Sequence, residues 1–132
     1  MRDQPDGAEL LKTARTLLRD QLIPALPADQ KYPALMIANA MAIAARQLDA
    51  GDEPLRQQWL TLRLLLDKPD RTVPVERETV EAELTAMNRT VAEQIRNGAA
   101  DTDHDRRAAI YDYLRQMTRQ RVTESNPGFF DR

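Results

Sequence analysis

The chain has 132 residues, 42% hydrophobic and 30% charged, proportions that place it among folded globular chains. It has no cysteine, one histidine (His104) and one serine (Ser125), which excludes thiol catalysis, cysteine metal sites, disulfides and any site built from two of its own histidines. A net charge of −2 sets up no field that draws nucleic acid or anionic lipid, so neither nucleic acid nor a membrane is an expected partner.

In chain order, the apolar spacing is helical throughout, and no run of alternating β-branched residues suggests a strand. The first helix is expected to start after Asp6, with Glu9 completing a capping box. Its stripe is Leu10, Leu11, Ala14, Leu17, Leu18 and Leu22, and Pro24 ends it. The second helix is predicted from about Pro33 to Ala50, stopping at Gly51. It is apolar nearly all round, the mark of a central helix, with Ala34, Ala38, Ala42 and Ala45 on one close-packing face. The third helix is predicted from Pro54, capped by Asp52 or Glu53, with Leu55, Trp59, Leu62 and Leu66 as its buried stripe. Asp67 to Val75 reads as a loop.

The fourth helix is predicted from about Val75 to Asn97, stopping at Gly98, with Val80, Leu84, Met87, Val91 and Ile95 in one stripe. The fifth is expected to start near Asp101 or Asp103 and reach about Thr123, with Ile110, Tyr113, Leu114 and Met117 facing the core. The fold expected is all-α: one domain over residues 1–132, an irregular bundle of about five helices around the central apolar helix. Short flexible ends are expected at 1–5 and 125–132. The N-terminus carries no apolar signal segment, so a cytoplasmic location is expected. The longest nearly apolar run, Ala34 to Ala45, is far short of the roughly 20 residues that a membrane span needs.

Three features bear on chemistry. Tyr32, Asn39 and Arg46 recur every seven residues along the second helix, beside Leu35 and Ile43. Asn39, an amide amid apolar side chains, is expected to be buried and so needs hydrogen-bond partners. The trio is therefore either a pocket holding a ligand carboxylate or phosphate, or a polar network satisfied within the fold. Asp101-Thr102-Asp103-His104-Asp105 superficially resembles a metal loop, but lacks the spacing and distal Glu of a calcium hand. It reads as an acidic helix start with a capping aspartate, and neither metal nor cofactor is implied. Arg115, Arg119 and Arg121 lie late in the fifth helix without an interleaved aromatic platform, and read as a solvated face. Leu60 and Leu64 lie nearly opposite the main stripe of the third helix. They either pack on another helix of the domain or form an exposed patch, and Phe129 and Phe130 in the tail raise the same alternatives.

Three segments resemble a family of small uncharacterised bacterial proteins: Pro5-Asp6-Gly7-Ala8-Glu9-Leu10-Leu11 with Ala14-Arg15, then Tyr32 through Arg46, then Ser125-Asn126-Pro127 followed by Phe130. Members of that family are encoded near aminoglycoside-phosphotransferase-like kinases and acyl-CoA dehydrogenases. The resemblance implies a helical protein with a place in acyl or hydroxyacyl catabolism, and it supplies no catalytic residue. The reading it favours is a non-catalytic accessory protein that meets a partner enzyme, or a second copy as a homodimer, through Leu60, Leu64, Phe129 or Phe130. The alternative is a binding module for an acyl or phosphorylated metabolite that uses Asn39 and Arg46, and an enzyme stands third.

Overall fold

In the computed structural model, which describes residues 4–131, the chain forms five α-helices and no strand among those residues. They are α1 (Gly7–Leu17), α2 (Ala28–Ala50), α3 (Glu53–Leu65), α4 (Arg77–Arg96) and α5 (Arg107–Ser125). The all-α expectation holds. Of the expected flexible N-terminus, residues 1–3 lie outside the described residues. The chain divides into two compact units, Met1–Gly51 and Asp52–Arg132.

The first unit is a helical hairpin. α1 opens on the predicted capping box: Asp6 accepts from the Glu9 amide at 2.9 Å, and the Asp6 amide donates to the Glu9 carboxylate at 3.0 Å. The helix does not simply stop at Pro24. Leu18–Leu22 widens into a π-turn in which the Ile23 amide reaches back to the Leu18 carbonyl, and Ile23–Ala25 tightens into a 3₁₀ turn. Proline lacks the donor that an α-turn would need there, and the change of hydrogen-bond register accommodates it.

α2 starts a turn and a half earlier than Pro33, which is carried inside the helix at the cost of one backbone bond. Its buried residues are Ala34, Ala38 and Ala45, three of the four small residues of the predicted seam. α1 lies along that seam. Lys12 pairs with Asp49 at 2.7 Å, and the Arg15 Nε donates to the Ala38 carbonyl at 3.1 Å. The hydrogen bond that the Lys12 ammonium donates to Asp49 holds it above its ordinary pKa. Of the large side chains of α2, Leu35, Met36 and Ile37 are exposed, as are Leu10, Leu17 and Leu22 of the preceding helical run.

The second unit holds the hydrophobic core. Trp59, Leu62 and Leu66 from the α3 stripe meet Val80, Leu84, Met87 and Val91 of α4 and Ile110, Tyr113 and Met117 of α5. Trp59, Leu62 and Ile110 have no exposed surface. Leu114 departs from expectation and is 41% exposed: it sits about 100° round the helix from Tyr113, beyond the edge of the buried arc. α3 and α4 stop as predicted close to positive-φ positions, Asp67 at 55° and Gly98 at 92°.

Arg106 closes the end of α3. Its guanidinium donates to the Leu65 carbonyl and, at 2.8 Å, to Asp67. The same residue is the N-cap of α5, which begins at Arg107, so the aspartates of the 101–105 segment do not cap that helix as expected. That segment is a series of turns in which the His104 ring accepts from the Arg106 amide at 3.2 Å. The loop before α4 is pinned by Arg56, which donates to the Val75 carbonyl at 3.2 Å, and by Arg71, which meets Glu83 at 2.7 Å.

Candidate interaction surfaces

The residues singled out from the sequence fall on four separate elements. Tyr32, Asn39 and Arg46 share the side of α2 away from its alanine seam. Tyr32 and Asn39 are exposed and Arg46 is half-buried. The burial expected for Asn39 fails for a geometric reason. Asn39 is one step from Ala38, about 100° round the helix, so burial of the seam leaves its amide in solvent.

Leu60 and Leu64, 40% and 66% exposed, stand one turn apart on the outer side of α3. They do not pack into the core of their unit, whose α3 contribution comes from the opposite stripe. Phe129 and Phe130 follow α5 in a 3₁₀ turn over Pro127–Asp131 and are about half exposed. Their rings meet edge to face at 5.2 Å.

The sequence reading missed what the arginines of α5 do. The Arg107 guanidinium lies over the Tyr111 ring at 4.7 Å, and that of Arg119 over the Phe130 ring at 5.2 Å. Aromatic rings accompany Arg107 and Arg119, the latter one of the three arginines read as a solvated face. One comes from the next turn of the helix, the other from the folded-back tail, and no helical period could have announced the second. Two polar constellations were also missed. Glu83 accepts from the Trp59 indole at 2.8 Å while its other oxygen holds Arg71. Gln58 donates to the Tyr113 hydroxyl at 2.8 Å, and that hydroxyl donates to Asn88 at 2.7 Å. Burial pushes the Tyr113 phenol above its ordinary pKa, against the pull of those two hydrogen bonds.

Both constellations seat core side chains and leave no open coordination or nucleophile. Among the described residues no three His, Asp or Glu side chains converge as metal ligands. No described helix is long and apolar enough to cross a membrane. A family model of a domain of unknown function, DUF6285, matches residues 24–129. The chain belongs to this family. The matched span takes in α2 and all of the second unit's helices, and with them the Tyr32–Arg46 segment; the Pro5–Arg15 opening precedes it. No curated protein and no solved structure matches this DUF6285 chain.

Proposed function

We propose that this DUF6285 protein is a non-catalytic accessory protein that works by docking onto a partner enzyme. The observation that carries the reading is the two-sidedness of α3. One stripe, Trp59 and Leu62, is fully buried, while Leu60 and Leu64 on the other side stand in solvent one turn apart. Large apolar side chains paired in this way on an outer helical face suit burial against another surface. Phe129 and Phe130 add a second apolar element in the same unit. The kind of enzyme suggested by the family resemblance is an aminoglycoside-phosphotransferase-like kinase or an acyl-CoA dehydrogenase of acyl or hydroxyacyl catabolism.

The test uses the two candidate enzymes purified from the same source. Each is mixed with the chain at micromolar concentration and followed by size exclusion with light scattering. A complex with one enzyme that is lost in Leu64→Glu, with the urea midpoint of that variant unchanged, supports the proposal. Leu64→Glu complexes that form as readily as wild type, or a chain that meets neither enzyme, would overturn it. A mass of twice 15.1 kDa for the chain alone, abolished by the same variant, would reassign the leucines to a homodimer.

A further inference from the structure

We infer that the outer face of α5 with the folded-back tail is a docking strip for an acidic amphipathic helix of a partner protein. The inference rests on the docking reading and names the chemistry of the partner.

Arg107, Tyr111, Arg115 and Arg119 follow one another every four residues, so they form a row that drifts slowly round the exposed side of α5. Successive members stand about 6 Å apart along the axis. Two of the three guanidiniums are pre-oriented. Arg107 lies on Tyr111 and also donates to the Ala100 carbonyl at 3.1 Å. Arg119 lies on Phe130. A ring beneath a guanidinium attracts it and narrows its motion, while the N–H groups that remain unused can take a carboxylate. Less side-chain freedom then remains to be lost on binding.

Along the row itself the acidic side chain is Asp112, 3.9 Å from Arg115 and mostly in solvent, with Asp105 before the row and Asp131 after Phe130, so the three arginines of the row outnumber the acid beside them. A groove of about 280 Å³ between Arg107, Tyr111, Asp112 and Arg115 has room for one acidic side chain. Apolar contact surface runs beside the row in Leu114 and Phe129, both exposed. The matching surface is a helix that carries glutamates every fourth residue, at the same 6 Å interval, with leucines alongside. A nucleic acid strand fits less well. One face of the Tyr111 ring and one of the Phe130 ring already carry a guanidinium and are not free for base stacking, and the chain carries a net charge of −2.

The experiment uses the full chain and a fluorescein-labelled helical peptide with Glu at every fourth position and Leu between, read by fluorescence anisotropy at low ionic strength. Two further probes are its Gln-for-Glu counterpart and an oligo-dT strand. The Glu peptide should bind and weaken as salt is added. The double variant Arg115→Gln/Arg119→Gln should weaken it by about tenfold, and Phe130→Ala by a smaller factor through loss of the platform under Arg119. All these positions are exposed, and thermal melts check that the variants stay folded. Equal binding of the Gln peptide, tighter binding of oligo-dT, or indifference to the double variant would overturn the inference. None of those results touches the Leu64→Glu test, so failure here leaves the docking reading standing, and loss of docking through Leu64 is read separately.

Discussion

Replacing Tyr113 by Phe isolates the polar relay on which the second unit's core closes. The ring is 3% exposed and would stay in place among Ile110, Met117 and the α4 stripe, so packing is conserved. The hydroxyl alone is lost. That leaves the Gln58 amide without its acceptor and the Asn88 carbonyl oxygen without its donor. A buried polar group left unpaired costs about 1–3 kcal/mol. Both orphans belong to half-buried residues that can partly recover water, so the expected loss is about 2 kcal/mol for the pair, or roughly 6–8 °C in Tm for a domain of this size. The phenol adds a pH signature. An unfolded tyrosine ionises near 10.0, and burial holds the folded one higher. Its contribution to stability is therefore complete below pH 10 and is lost as pH rises toward the folded value. Urea melts followed by far-UV circular dichroism at about pH 8 and about pH 11 measure both effects. Wild type should lose more stability between the two pH values than Tyr113→Phe does, because only wild type carries the buried phenol. Equal midpoints near neutrality would show that the relay adds nothing, and equal alkaline losses would show that burial does not hold the phenol protonated.

Arg106→Gln removes the cation that closes the end of α3 on Leu65 and Asp67, and should lower stability in urea by about 1–2 kcal/mol. Gly98→Ala places a Cβ at a φ of 92° and 3.0 Å from the Asp101 carboxylate, and should cost about 1–2 kcal/mol in the same assay. Asn39→Leu and Asn39→Asp should each stay within about 0.5 kcal/mol of wild type, because the amide is exposed; a large loss in thermal melts of either would restore a buried role.

Wherever a stripe follows one helical period against a large core, it was readable. Val80, Leu84, Met87 and Val91 are all buried, as are Trp59, Leu62 and Leu66. The capping box of Asp6 and Glu9 and the glycine stops at 51 and 98 were readable because they are local chemistry. What failed depends on partners distant in sequence. Tail and helix meet in Arg119 and Phe130, Arg106 reaches 39 residues back to Asp67, and Glu83 joins an indole to a loop arginine. None of these leaves a period. The second helix misled for another reason. Apolar residues all round it say how much surface could be buried, and the alanines say where a neighbour comes closest, but only the second signal located the buried face.

That difference has an energetic consequence for the two units. An alanine seam lets backbones approach, close enough for Arg15 to reach the Ala38 carbonyl, yet each alanine removes little apolar surface from water. Of the first unit's larger side chains Ile23 is buried, but Leu10, Leu17, Leu35, Met36 and Ile37 are each about half exposed and contribute only part of their apolar surface. In the second unit a tryptophan, a leucine and an isoleucine are fully enclosed, and each large side chain is worth about 2–5 kcal/mol if truncated to alanine. The two units therefore respond to opposite substitutions. The α3–α4–α5 core is sensitive to loss of volume at Leu62 or Ile110. The α1–α2 seam is sensitive to added volume at Ala34, Ala38 or Ala45, where a larger side chain would force apart two helices that hold together by proximity.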